Sequence, residues 1–352
     1  MSETLLKVRE LTRTFPVKTP FWGRLRGTPK PFVRALMGVN LEVQRGETLG
    51  IVGESGCGKS TLARCLVRLY EADGGSIEYG GEDVRALRGR ALRAYNRRVQ
   101  MVFQDPYSSL NPRMTVEQTL AESLRVHRIC PPSEVKRRIS ELLRLVGLPQ
   151  SAAQRLPHEF SGGQRQRIGI ARALSVEPEC LVADELVSAL DVSVQAQVVN
   201  LLLELQDKLR LTVLFVAHDL RLVHHISHRV AVMYLGNVVE VADTETIFAR
   251  PQHPYTQALL AAAPDLDPAK KNTAPAVQGE LPSPLKVPSG CAFHTRCPRA
   301  FDRCKTEKPR LEARASADFK PGHLSACHLY EPIEGSNFQT PPSETKQVPG
   351  TA

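Results

Sequence analysis

Gly53-Glu-Ser-Gly-Cys-Gly-Lys-Ser60 follows directly on the apolar run of residues 48–52, so a glycine-rich turn joins a buried strand to the start of a helix. Glycines at 53, 56 and 58 let backbone N–H groups turn inward around phosphate oxygens, because a residue without Cβ accepts the dihedrals and the close approach this requires. Lys59 can reach the β- and γ-phosphates and the Ser60 hydroxyl can ligate Mg²⁺. The helix that begins here aims the positive end of its dipole at the anion. The stretch predicts a nucleoside triphosphate cradle made of Gly53, Ser55, Gly56, Cys57, Gly58, Lys59, Ser60 and Thr61.

Outward from the loop, strand-like runs at 5–11 and 36–43 precede it and a helical run at 61–70 continues behind it. Between 115 and 148 the pattern is helical: Val135, Ile139, Leu142, Leu143 and Val146 recur at helical spacing, with Ser133 as N-cap and Gly147 as terminator. From 180 onward, strand runs at 180–183, 212–217 and 229–235 alternate with helical segments at 191–209 and 220–226, which predicts a mainly parallel sheet in an α/β domain. Residues 264–290 are rich in proline and read as a wrap or linker, and the chain from about 331 reads as a disordered tail.

At 352 residues the chain can hold a full α/β domain and a smaller appendage. No run approaches the roughly 20 apolar residues of a membrane-spanning helix, and the N-terminus has no signal-peptide pattern, which predicts a soluble cytoplasmic chain. Lys and Arg outnumber Asp and Glu by 46 to 37, a net charge of +9 that suits an anionic ligand, a nucleic acid or a negative membrane face without choosing among them. Eight cysteines without an export signal read as thiols or metal ligands rather than disulfides, and only those near the C-terminus cluster.

Asp184 ends the apolar run 180–183, where a carboxylate can hold the Mg²⁺ shell, and Glu185, one residue on, can orient an attacking water as general base. Phe160-Ser-Gly-Gly-Gln164 opens a helix, with Ser161 and Gln164 at capping-box spacing and a bare entrance suited to an anion. With Val182-Ala-Asp-Glu185 and Ser188-Ala-Leu-Asp191, and in this order, these motifs resemble the ATP-binding subunit of an ABC transporter. The resemblance implies a P-loop ABC-type fold: a mainly parallel core sheet, an antiparallel β subdomain and a helical subdomain at about 105–175. It implies that Ser161, Gly162, Gly163 and Gln164 serve the γ-phosphate of an opposing subunit, so that hydrolysis requires a dimer. Gln104, in Gln104-Asp-Pro-Tyr-Ser-Ser-Leu-Asn-Pro112, resembles the loop glutamine that touches Mg²⁺ or water and senses the membrane subunits. His218 resembles the switch histidine at the γ-phosphate, and Phe15 the aromatic that stacks on adenine, with Phe21 and Trp22 as substitutes. Leu186 stands where the family usually has proline, which leaves Glu185 less constrained toward extended backbone.

His253-Pro-Tyr-Thr256, Gly279-Glu-Leu-Pro-Ser-Pro284 and Gly290-Cys-Ala-Phe293 resemble the C-terminal extension of oligopeptide and dipeptide importer ATPases. The implied organisation is an ATPase domain over 1–250, an extension over 251–330 and a tail over 331–352. Cys291, Cys297, Cys304 and Cys327, with five, six and 22 residues between successive members, could complete a soft metal site. Their spacing names no metal; the resemblance favours [4Fe-4S], with zinc or uncoordinated thiols as alternatives. The expected role is ATP hydrolysis with Mg²⁺ in a peptide importer, at the cytoplasmic face of the inner membrane. Expected partners are a second related ATPase, two permease subunits and, through them, an extracytoplasmic binding protein. An importer of nickel, glutathione or opines, an ABC ATPase acting on nucleic acid or ribosomes, and a non-hydrolysing regulatory subunit are the alternatives. A basic and aromatic stretch (Lys18, Phe21, Trp22, Arg24, Arg26, Lys30, Phe32, Arg34) reads as a solvated insertion or a lipid- or nucleic-acid-facing patch.

Overall fold

Strand β3 (Thr48–Val52) is buried at every residue, as are β7 (Cys180–Asp184) and β8 (Thr212–Val216). These strands lie parallel in register, Ile51 beside Val216 and Asp184 beside Val216 on the other side of β8. In the computed structural model the described residues are 3–17, 31–105, 109–262, 280–313 and 322–330. The parallel order continues through β9 (Arg229–Tyr234) on one side of β3 and β6 (Val99–Val102) on the far side of β7. Because side chains alternate along a strand, each face feeds a different core: Val213 and Phe215 enter one, Leu214 and Val216 the other. Burial on both faces is why these strands read as unbroken apolar runs in the sequence.

One core lies between the sheet, helix α1 (Lys59–Leu66) and a second sheet built from β1 (Thr4–Pro16), β2 (Phe32–Gln44), β4 (Gly74–Tyr79) and β5 (Glu82–Asp83), in the order β2-β1-β4-β5 and antiparallel throughout. Val8 is its pivot, opposite Leu41 on one side and Ile77 on the other. Helix α2 (Gly89–Arg98) leads from this sheet into β6. The other core gathers α3 (Val116–Val126), α4 (Val135–Leu145), α5 (Gly162–Leu174), α6 (Val192–Leu209) and α7 (Leu220–Ile226). Helix α4 buries Val135, Ile139, Leu142 and Leu143 as its spacing predicts, and the N–H groups of Gly147 and Leu148 close it on the Arg144 and Leu143 carbonyls. Its start differs from expectation: Ser133 sits inside a 3₁₀ turn over Pro132–Glu134, and the helix begins at Val135 without a side-chain cap. Pro132 shapes that turn, because its fixed φ suits a first helical position.

The sequence gives little warning of what happens at the other edge of the main sheet. Strand β10 (Asn237–Asp243) turns back antiparallel to β9, helices α8 (Thr244–Ala249) and α9 (Pro254–Ala261) follow, and the short helix α10 (Asp302–Thr306) comes late in the chain. Then β11 (Glu312–Ala313) and β12 (Leu324–Ser325) add to β10, so the C-terminal segment completes an eight-stranded sheet. Two-residue strands carry no readable alternation, which is why sequence patterning does not reveal them. Phe21, Trp22, Lys18, Arg24, Arg26 and Lys30, the centre of the glutamine loop at 106–108, most of the proline-rich stretch and the tail from 331 lie outside the described residues.

A buried polar cluster fastens this edge. Glu240 of β10 accepts from the Gln252 and His253 N–H groups at 2.6 and 3.1 Å and meets His323 Nε2 at 2.7 Å, with Glu240 and His323 almost fully buried. His253 caps α9, its Nδ1 accepting the Tyr255 N–H at 3.1 Å. Burial pushes the His253 imidazole down to about 4, against the pull of Glu240 and a hydrogen bond to the Ala326 backbone. The folded value lies below the ordinary 6.5, so this contribution to stability is complete above about pH 6.5 and is lost as pH falls toward about 4. His253→Asn keeps a cap acceptor and removes the titration, whereas the Glu240–His323 pair is common to both proteins. Unfolding followed from pH 7.5 to 4.5 should therefore show the wild type losing up to about 3 kcal/mol relative to the variant; parallel pH profiles would refute the assignment.

Candidate nucleotide site

The phosphate loop leaves β3 and is shaped by close packing. Gly53 has φ 151°, and a Cβ there would stand 2.2 Å from the Met233 carbonyl oxygen of the neighbouring strand. Gly58, at the N-terminus of α1 with φ 107°, would place a Cβ 2.4 Å from the Ala35 carbonyl oxygen. These glycines are required by the approach of other backbone. Lys59, 4 % exposed, donates to the Gly53 and Glu54 carbonyls at 2.8 and 3.1 Å. Among the described residues Lys59 forms no ion pair, so the loop closes around a buried positive charge that suits an anion. Ser55 and Gly56 are exposed at the loop tip, Ser60 and Thr61 half-buried, and Cys57 is packed in the core with its carbonyl accepting the Gly236 N–H at 2.8 Å.

Two strands away, β7 delivers its carboxylates to the same end of the sheet. The Ser60 hydroxyl donates to Asp184 Oδ1 at 2.9 Å. Burial pushes the Asp184 carboxyl above the usual range, opposed by the Ser60 hydrogen bond and the charges of Arg64 and Lys59. A hydroxyl and a buried carboxylate in contact form a hard oxygen pair that fits Mg²⁺, whose charge would favour the ionised acid.

Glu185 follows in the left-handed region, φ 47°, an uncommon conformation for a residue with a side chain. Its N–H donates to the Val216 carbonyl at 2.9 Å, and its carbonyl accepts from the Ser188 N–H and hydroxyl at 3.1 and 3.0 Å. Leu186, expected to leave this segment less constrained than proline would, is 1 % exposed and anchors it in the core. Gln104, exposed, donates to the Ser188 hydroxyl at 3.3 Å and so joins the glutamine loop to the segment after Glu185. His218 is exposed on the turn after β8, one residue before the Asp219 cap of α7. Phe15, half-buried at the end of β1, meets Tyr70 edge-on at 5.3 Å with Arg13 over its ring at 4.7 Å.

The signature segment stands apart. Ser161 and Gln164 form the expected capping box, the Ser161 N–H donating to Gln164 Oε1 at 3.1 Å and the Gln164 N–H to Ser161 Oγ at 3.4 Å. Gly163 is packed against α6, where a Cβ would lie 2.3 Å from Val194 Cγ1, and Arg165 holds the preceding turn through the Pro157 carbonyl at 2.7 Å. The two side chains thus satisfy N–H groups at the entrance of their own helix, and the Ser161 carbonyl accepts from the Arg165 N–H at 3.0 Å.

The expectation of an iron–sulfur cluster, or of zinc, on Cys291, Cys297, Cys304 and Cys327 is overturned. Among the described residues no three His, Cys, Asp or Glu side chains converge in a way that could hold a metal ion. Cys304 and Cys327 are buried, while Cys291 and Cys297 are half-buried against the main core. Burial pushes the Cys291 thiol up to about 11 and that of Cys327 to about 12, and each neighbouring sulfur adds to the shift. Protonated thiols in apolar surroundings pack as small hydrophobes. Cys65 and Cys180, fully buried, pack the same way. Sequence reasoning missed Glu54, Tyr255 and Arg296, which meet at the loop: the Glu54 N–H donates to the Tyr255 hydroxyl at 2.9 Å, and Arg296 pairs with the Glu54 carboxylate. The only signal was that Tyr255 and Arg296 lie in or beside the C-terminal motifs.

Fold and site together define a P-loop ATPase domain, its phosphate loop and acidic strand end meeting at the carboxyl ends of parallel strands inside the sheet. Residues 36–188 match the family model for "ABC transporter", and residues 239–304 match "Oligopeptide/dipeptide transporter, C-terminal region". A probable peptide ABC transporter ATP-binding protein of Sinorhizobium fredii, y4tS, is 48% identical over 351 residues, 100% of this chain and 97% of its own. The oligopeptide transport ATP-binding protein AppF of Bacillus subtilis is 48% identical across 93% of this chain and 98% of its own. Among solved structures, CbiO1 of Clostridium perfringens, part of the ABC transporter complex cbiONQ, superposes with TM-score 0.60 at 28% identity, covering 70% of this chain and 92% of CbiO1. The dimeric cassette MJ0796, in a post-hydrolysis state bound to ADP and Pi, gives TM-score 0.59 at 27% identity, covering 68% and 99%. The chain belongs to the family of ABC transporter ATP-binding proteins, ATPases that act on ATP with Mg²⁺.

The steric account of the loop is open to test. Gly53→Ala meets a backbone oxygen and should destabilise the protein by roughly 2–4 kcal/mol, whereas Gly56→Ala, with open space around it, should cost only about 1–2 kcal/mol of left-handed strain. Denaturant unfolding of the two variants without nucleotide measures the difference, and equal losses would count against the packing argument.

Proposed function

We propose that this protein is the ATP-hydrolysing subunit of a membrane importer of dipeptides or oligopeptides. The hydrolytic part rests on one observation above all: the Ser60 hydroxyl of the phosphate loop touches the Asp184 carboxylate at 2.9 Å, with Glu185 next in the chain. The cargo class rests on full-length similarity to peptide transporter ATP-binding proteins and on the match of residues 239–304 to the oligopeptide/dipeptide C-terminal region.

The loop N–H groups and Lys59 bind the β- and γ-phosphates, and Phe15 stacks on the adenine. Ser60, Asp184 and Gln104 would hold Mg²⁺, which would supply positive charge to offset that developing on the phosphoryl group. Glu185 accepts a proton from water and aims it in line with the γ-phosphate, while His218 donates a hydrogen bond to the phosphoryl oxygens as charge builds on them. Ser161, Gly162, Gly163 and Gln164 present the N-terminus of α5 to the triphosphate of a partner subunit, a reading supported by the capping box that Ser161 and Gln164 form at its entrance.

The working assembly pairs this subunit with a second, related ATPase on two permease subunits, which receive cargo from an extracytoplasmic binding protein. Its place is peripheral, at the cytoplasmic face of the inner membrane, and no helix among the described residues is long and apolar enough to cross a membrane. Glu185→Gln in the assembled complex should leave ATP affinity within about twofold and lower phosphate release at least about 100-fold. Wild-type turnover in that variant would refute the role of Glu185.

A further inference from the structure

The C-terminal segment reaches the phosphate loop across 242 positions of sequence. Glu54, the second residue of the loop, receives both arms of Arg296: Nη1 donates to Oε2 at 2.8 Å and Nη2 to Oε1 at 2.9 Å. The Arg296 side chain is 7% exposed and that of Glu54 26%, so the pair is largely sheltered from water. Tyr234 stands behind it, its hydroxyl 3.5 Å from Arg296 Nη1. Phe293 packs edge-on to Tyr234 and Tyr255 at 5.2 and 5.4 Å, and the Tyr255 hydroxyl accepts the Glu54 N–H. The pairing in turn pushes the guanidinium further into its charged form.

A carboxylate inside a loop that wraps a triphosphate opposes the anion unless a cation cancels it. Lys59 does not do so, because its ammonium bonds the Gly53 and Glu54 carbonyls and not the Glu54 carboxylate. The guanidinium fork is suited to the task, since it stays charged and fixes a carboxylate in two directions at once. We propose that Arg296 is a positioning residue of the nucleotide site. From the C-terminal segment it neutralises and orients Glu54, so that affinity for ATP depends on how that segment is docked. This role rests on the reading of the Lys59 loop as the ATP cradle.

The sign pattern of charge variants tests it, measured on the assembled complex as ATP dissociation constant, KM and kcat. Arg296→Gln leaves an uncompensated carboxylate and should weaken ATP binding about tenfold, the equivalent of one pK unit of charge interaction, with kcat within about twofold. Glu54→Gln leaves an uncompensated guanidinium and should tighten ATP binding by several-fold. The double variant should return to within about threefold of wild type, and Arg296→Lys should fall between wild type and Arg296→Gln. A merely structural brace predicts that both single variants and the double weaken binding together, and that outcome overturns the proposal. So does unchanged affinity in Arg296→Gln. If Arg296→Gln is recovered unfolded, Glu54→Gln decides, since unchanged or weaker binding there removes the electrostatic role. Lys59→Ala separates the two readings: loss of ATP binding upholds the cradle whatever Arg296 does, and retention would sink the cradle instead.

Discussion

The buried ammonium of Lys59 is the constraint around which this molecule is arranged. A cation at 4 % exposure that meets two carbonyls and, at 4.0 Å, the Cys57 sulfur is costly in isolation, and all three partners belong to the loop that leaves β3. Satisfying it curls the loop back on itself, turns its N–H groups inward and starts α1 at Lys59, behind its N-cap Gly58. The same curl demands glycine where other backbone closes in, at Met233 on one side and Ala35 on the other. The loop is thus specified as much by its neighbours in the sheet as by its own residues.

The parallel sheet supplies the second requirement, the convergence of distant residues. Parallel strands present their carboxyl ends on one side, so Val52, Asp184 and Val216 finish near each other although they are far apart in the chain. Asp184 is thereby buried beside Ser60, and Glu185 is turned into a left-handed conformation by the Val216 carbonyl and Ser188. Leu186 anchors the segment by burial, because a side chain at 1 % exposure cannot leave the core without loss of packing, while Glu185 before it is left-handed rather than extended. Gln104 is tied to the same segment through Ser188, whose hydroxyl accepts from Gln104 and donates to the Glu185 carbonyl.

The C-terminal segment is a structural part of the nucleotide domain. It pairs with β10, buries Phe293 among Tyr234 and Tyr255, and carries the guanidinium that meets the phosphate loop. Its cysteines show where spacing misleads. Four sulfurs brought into one small segment look like a ligand set on paper, but ligation needs thiolates aimed at a common point. Here burial pushes the Cys291 and Cys327 thiols up, away from the thiolate form, and the Cys291 N–H donates to the Cys304 carbonyl, shaping the fold.

The sequence by itself determined the class of fold, the phosphate loop, the acidic strand end and the signature helix with its capping box. Each of these is a local pattern, in which propensity, periodicity and short-range hydrogen bonds act within a few residues. The strands buried on both faces were legible for the same reason, as continuous apolar runs at 48–52, 180–183 and 212–217. Only the tertiary structure decided that Glu54 faces Arg296, that Tyr255 holds the loop N–H, that Glu240 joins His323, and that the C-terminal cysteines pack instead of ligating. Those outcomes depend on pairs up to 242 positions apart, whose burial and orientation are set by the packing of whole elements and leave no mark on the residues nearby.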